Sequence, residues 1–174
     1  SKYPSTNIGI EEFKKHLEMI EKEGIKFIDP KNFEAELKNV KERKILITID
    51  DGFASFYENA WPILREKQIP FILFVSTREV GKFNYMSWSQ IKEIDESKIG
   101  LIGNHSHTHE YLIDLTPLEI KQDLVQSMDI FKTKLGSNSI FFSYPFGEYS
   151  LKFKKIVQDL NFKYAFGQHS GVID

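Results

Sequence analysis

The sequence predicts an α/β chain with parallel strands and helical crossovers. Three observations carry that expectation. Short apolar, β-branched runs alternate with amphipathic stretches along the whole chain. Several stretches open on helix-capping residues and close on glycine. Three of the apolar runs end abruptly on polar or special residues: Asp50-Asp51-Gly52, His105-Ser106-His107-Thr108-His109 and Tyr144-Pro145-Phe146-Gly147. Parallel strands place all three clusters at one end, and a barrel gathers them across its mouth more readily than an open sheet.

The elements follow in order. Residues Ile10 to Glu23 carry Phe13, Leu17 and Ile20 at helical spacing and stop at Gly24. Ile25 to Ile28 is a short strand, after which Asp29 caps a helix with Pro30 in its first turn. Lys44 to Ile49 is expected as one fully buried strand ending on the two acids. Ser55 to Lys67 is a helix that Pro62 either kinks or begins. Pro70 to Ser76 is a buried strand, Thr77 to Tyr85 a loop, and Ser87 to Ile94 a short helix capped by Ser87. Ile99 to Gly103 is a strand leading into the histidines. Thr116-Pro117-Leu118-Glu119 is a capping box that opens a helix reaching Leu135, with Gly136 as its stop. Ser139 to Phe142 is a strand, Tyr149 to Leu160 a helix, and Phe162 to Phe166 the last strand.

Composition narrows the function. With 174 residues, of which 41% are hydrophobic, the chain can bury one real core. It is expected to form a single domain over residues 1–174, a piece of a longer protein. A net charge of −2 argues against a nucleic-acid partner, which demands a basic face. No apolar run approaches the roughly 20 residues of a transmembrane helix, and the polar opening does not resemble a signal peptide. The absence of cysteine excludes disulfides and thiolate ligands.

Two adjacent carboxylates at a strand end repel one another and lose solvation, so a cation is the obvious reason for them. His105 and His109 are four apart, and a tight turn or one turn of helix lets them face one point. With one carboxylate they complete a two-His, one-Asp set suited to Zn²⁺, and also to Co²⁺, Ni²⁺ or Fe²⁺. If the segment were extended, His105 and His107 would share a side instead, and a His-x-His metal hydrolase of phosphoesters or amides would be the alternative. The second acid can take a proton from metal-bound water. Gly52 is expected to supply the bend that separates the two acids. Tyr144 and Phe146, around a rigid Pro145, could wall a groove, and backbone N–H groups there could stabilise an oxyanion.

Together these clusters resemble the polysaccharide deacetylases of the NodB-homology type, carbohydrate esterase family 4. That family's Thr-Phe-Asp-Asp-Gly is matched by Thr48-Ile49-Asp50-Asp51-Gly52. Its His-Ser/Thr-x-x-His is matched by His105-Ser106-His107-Thr108-His109, preceded by Gly103-Asn104. Its Arg-x-Pro-aromatic is matched by Ser143-Tyr144-Pro145-Phe146, and Met86-Ser87-Trp88 is also similar to a segment of the family. The resemblance implies a distorted (β/α)₇ barrel and metal-dependent removal of acetyl groups from an N-acetylated glycan, outside the cytoplasm. It implies Asp50 as general base, Asp51, His105 and His109 as metal ligands, and the Phe146 N–H in an oxyanion hole. The chain departs from the pattern at Ser143, where the family has an Arg that positions the catalytic Asp. The Tyr-Pro-aromatic-Gly form is nearest to the poly-β-1,6-N-acetylglucosamine deacetylase group. There the histidine acid sits on a strand that would precede Ser1, with Tyr3 to Asn7 as the loop after it; His169 is the substitute within this chain. A non-catalytic carbohydrate-binding domain is the remaining alternative.

Overall fold

A computed structural model describes residues 8–38 and 42–168. Helix α1 (Ile10–Lys22) leads to β1 (Lys26–Phe27), and a 3₁₀ turn at Pro30–Asn32 leads into α2 (Phe33–Lys38). Strands β2 (Lys44–Ile45) and β3 (Ile47–Ile49) follow, then α3 (Trp61–Glu66), β4 (Phe71–Val75), α4 (Trp88–Glu96) and β5 (Gly100–Asn104). The chain continues through α5 (Pro117–Leu135), β6 (Phe141–Ser143), α6 (Leu151–Asp159) and β7 (Tyr164–Phe166).

Every ladder is parallel. β1 pairs with β2, and β3 to β7 form one five-stranded sheet in sequential order. The described residues therefore hold seven parallel strands curled into a half-barrel, matching the expected fold. Among them, no ladder joins β7 to β1. Side chains line that side: Phe33 meets Tyr164 edge-on, with ring centroids 4.8 Å apart, and Phe141 at 5.7 Å.

The local signals explain the helix ends. Ser87 and Thr116 both form reciprocal capping boxes, with Gln90 and Glu119. Gly136 ends α5 at φ 83°, a conformation that only glycine adopts without steric cost. Pro62 stands at the first turn of α3, and a π-helical segment, Phe56–Ala60, runs into it. The lost regular bonding at that junction is the deviation a proline forces on its preceding turn.

One strand differs from expectation. The run Lys44 to Ile49 breaks at Leu46 and serves two sheets, β2 against β1 and β3 against β4. It is not fully buried, because β3 is an edge strand of the five-stranded sheet and Thr48 is exposed. Full burial belongs to β4, whose five residues are all inaccessible.

Alternate residues of the central strands serve two cores. Ile72, Phe74 and Phe141 fill the barrel interior, while Phe71, Leu73, Val75 and Ile102 pack against the helical layer. β5 fits between them because two of its residues lack side chains. A Cβ on Gly103 would lie 2.3 Å from the Phe74 ring, and one on Gly100 would lie 2.4 Å from Ile94 Cγ2. Gly103→Ala is accordingly expected to lower unfolding free energy by about 1–3 kcal/mol through overpacking. Urea denaturation beside the wild type measures it, and an unchanged midpoint would mean that Phe74 repacks freely.

Candidate metal centre and active site

The site is built where β3, β5 and β6 end. After Ile49 the backbone turns sharply: Asp51 has φ 74° and Gly52 φ 77°. The bend thus begins at Asp51 itself, one residue before the glycine expected to supply it. Aspartate tolerates the left-handed region better than most residues. The bend is pinned by Gly52 N–H donating to the Asp50 carbonyl at 3.0 Å and Met86 N–H donating to the Gly52 carbonyl at 2.9 Å.

Asp51 meets both histidines. Its Oδ1 lies 3.4 Å from His105 Nε2 and 3.0 Å from His109 Nε2. His105 is 1% exposed, and its Nδ1 lies 2.7 Å from the Ser143 carbonyl oxygen. A carbonyl only accepts, so Nδ1 carries the proton, and in the neutral ring Nε2 keeps its lone pair. One ligand atom from each of Asp51, His105 and His109 lies within 4.8 Å of the other two. Donors about 2.0–2.2 Å from one tetrahedral ion lie about 3.3–3.6 Å apart, so the set fits a single divalent cation with modest closure. The His-x-His alternative is not what the turn provides. His107 Nδ1 pairs with Thr77 Oγ1 at 2.8 Å, away from Asp51, because Ser106 (φ 71°) breaks the extended conformation that alternative requires.

The charges are arranged unequally. Burial pushes the Asp51 carboxyl up, but the hydrogen bonds and charges of His105 and His109 outweigh it and hold the group well below the usual carboxylate range. Burial disfavours charge on His105, yet Asp51 and Asp50 raise its pKa overall. Asp50 shifts the other way from Asp51. The residue keeps an open face toward solvent, while protein packed around its carboxyl raises its pKa. His105 opposes that rise, the Asp51 charge adds to it, and a hydrogen bond from the Ser143 side chain opposes it. Ser143, which stands where the family pattern has an arginine, thus bears on both halves of the site.

The third cluster divides. Tyr144 is 4% exposed and belongs to the core, packed on Phe142, Tyr149 and Phe153. Pro145 is also buried. The groove wall expected of the Tyr144 side chain is not there: its ring turns inward to complete the core beneath α6. Phe146 takes the left-handed conformation (φ 60°) and presents its ring 4.9 Å from His109 and 5.3 Å from Tyr111. On the Asp51 side, the Phe53 and Tyr85 rings meet at a tilt with centroids 4.9 Å apart, and their backbones pair in an isolated bridge. Phe53, Tyr85 and Tyr111 lie between the named elements, where no hydrophobic period marks them. His169 and Tyr3 to Asn7 fall outside the described residues.

Fold and site define a class: a parallel α/β half-barrel with an Asp-His-His group that could hold a metal ion at the carboxyl ends of its strands. The chain belongs to the polysaccharide deacetylase family, whose sequence model matches residues 37–165. It is 27% identical over 149 residues to YxkH of Bacillus subtilis (strain 168), an alignment covering 84% of this chain and 53% of that protein. It is 27% identical over 170 residues to poly-beta-1,6-N-acetyl-D-glucosamine N-deacetylase of Staphylococcus aureus (strain MSSA476), covering 89% of this chain and 59% of that one. The chain thus spans little more than half the length of these relatives. The solved structure of IcaB from Ammonifex degensii superposes with a TM-score of 0.85 at 28% identity, covering 95% of this chain and 79% of that one.

A pH dependence follows for metal-free protein. The lowered Asp51 pKa stabilises the fold above about pH 3.9 and is lost as pH falls through its folded value. The raised His105 pKa stabilises below about pH 6.5 and is lost as pH rises through its folded value. Chelator-treated protein should therefore lose thermal stability on the alkaline side of His105's folded pKa. Asp51→Asn should flatten that slope, and Zn²⁺ should restore stability there. Melts across a pH series decide it, and identical slopes for wild type and Asp51→Asn would reject the coupling.

Proposed function

We propose that this chain is the hydrolytic domain of a metal-dependent deacetylase acting on N-acetylated, GlcNAc-type polysaccharide outside the cytoplasm. The observation that carries the reading is the Asp51 carboxylate facing the Nε2 atoms of both His105 and His109, with a second carboxylate, Asp50, beside it. Among the described residues no helix is long and apolar enough to cross a membrane. The family match and the N-deacetylase activity for which the Staphylococcus aureus relative is named support the substrate class.

Asp51, His105 and His109 would hold one divalent cation, with Zn²⁺ the first candidate and Co²⁺, Ni²⁺ or Fe²⁺ as others the donor set accepts. Such an ion, when bound, supplies Lewis-acid chemistry that brings the proton of a water within reach of a carboxylate. Asp50 is the general base that takes that proton, and its raised pKa favours the task. The Ser143 hydroxyl orients Asp50 in place of the family's arginine. The Ser143 carbonyl fixes the His105 tautomer. Phe146 closes one side of the cleft with Tyr111, while its backbone turn would aim an N–H at the developing oxyanion. A GlcNAc ring presents an apolar face that suits the Phe53–Tyr85 pair.

Acetate release from N-acetylglucosamine oligomers by the full-length, metal-loaded protein tests the reading. Asp50→Asn is expected to keep its metal and lose about 10²–10⁴-fold in kcat; loss of metal instead would reverse the roles of the two acids. No acetate from metal-loaded wild type would favour a non-catalytic carbohydrate-binding domain. Ser143→Ala, which removes a hydrogen bond to a charged group, is expected to lower kcat about 10–100-fold with KM nearly unchanged. Ser143→Thr should recover most of it, and a Ser143→Ala enzyme as fast as wild type would remove the hydroxyl from the mechanism.

A further inference from the structure

The turn that carries the histidines is strained at two places, Ser106 (φ 71°) and His109 (φ 55°). Non-glycine residues persist there only where their surroundings over-determine them. One face of α5 does so. Its buried stripe is Ile120, Asp123, Leu124, Ser127 and Phe131. Two polar residues four apart interrupt an otherwise apolar core face, and packing alone gives no reason for them.

Asp123 is 7% exposed. Its Oδ1 accepts the His107 N–H at 2.8 Å, and its Oδ2 accepts the Thr108 N–H at 3.0 Å and the Thr108 hydroxyl at 2.6 Å. One helical turn on, Ser127 Oγ accepts from Asn104 Nδ2 at 2.8 Å. Asn104 Oδ1 accepts the Ser106 N–H at 2.9 Å, and Ser106 Oγ accepts the His109 N–H at 3.1 Å. The amides of Ser106, His107, Thr108 and His109 are therefore all held by side chains rather than by a ladder. The last two residues before His109 are held by Asp123 directly.

We infer that Asp123 is a positioning residue of the metal centre: by gripping the main chain of His107 and Thr108 it sets His109 against Asp51 and His105, and so sets the affinity for the cation. The inference rests on the reading of Asp51, His105 and His109 as ligands. Asp123 touches none of them, so its effect passes through the backbone of the turn. Groups that orient ligands in this way typically change metal affinity about 10–100-fold.

The test is Zn²⁺ affinity by competition with a chromogenic chelator, on protein stripped of metal and reloaded. Asp123→Asn, which puts an amide NH₂ where a donor already points, is expected to bind Zn²⁺ about 10–100-fold more weakly than wild type. Phe153→Leu, a core change on the buried face of α6, serves as a control for general loss of stability and should bind as wild type does. Equal affinity of Asp123→Asn and wild type overturns the inference, as does an equal loss in Phe153→Leu. Should Asp123→Asn not fold, Thr108→Val removes one of the three donors and should weaken Zn²⁺ binding several-fold; no change there overturns it too. Wild type that binds no Zn²⁺ would overturn the ligand reading itself, and the inference with it.

Discussion

The site depends on one buried imidazole. His105 sits between the Ser143 carbonyl, which accepts from Nδ1 at 2.7 Å, and Asp51, which faces Nε2 at 3.4 Å. The first contact joins the end of β5 to the end of β6, and the second joins both to the turn after β3. Burying an imidazole is costly unless its nitrogens are engaged; Nδ1 donates to the carbonyl, and Nε2 donates to Asp51 when the ring is protonated. Its own backbone is equally fixed: His105 N–H donates to the Val75 carbonyl, and its carbonyl accepts from Ser76 Oγ at 2.7 Å. Four strand ends are thereby referred to a single ring.

That geometry is available only because the ladders are parallel and sequential. Each strand delivers its last residue to the same rim, so residues far apart in sequence meet. The sequence exposes this much directly. Apolar runs that stop on acids, histidines or a proline turn are visible without coordinates, and so were Asp51, His105 and His109 as a set. What was not visible depends on pairing. The split of Lys44 to Ile49 at Leu46 between two sheets leaves no mark on an apolar run, because both halves are equally hydrophobic. The inward turn of Tyr144 depends on where Phe142 and Phe153 pack, which no local pattern encodes.

Left-handed backbone marks the same boundary. Asp51, Ser106, His109 and Phe146 all have positive φ, and all four lie in the site. A sequence rule assigns such conformations to glycine, and here Gly52 and Gly147 stand beside two of them. Asp51 and Phe146 adopt the strained conformation themselves, which changes where their side chains point relative to a regular strand end. In the histidine turn this strain is met by backbone N–H groups donating to the side chains of Asn104, Ser106 and Asp123 rather than by ladder pairing. A histidine-rich loop without these partners would have the same composition and no fixed direction.

The substitution at Ser143 alters the chemistry and not only the packing. An arginine beside Asp50 would favour its ionised form and depress its pKa by about 1–3 units. A serine hydroxyl offers a neutral donor, which is weaker, and burial then prevails in raising the Asp50 pKa. Under the proposed role, the base gains proton affinity, which Brønsted behaviour favours in a general base. The same residue holds His105 through its carbonyl, and that contact needs no particular side chain. Position 143 therefore separates two contacts: its backbone carbonyl fixes the His105 ring, and its side chain bears on the Asp50 carboxyl.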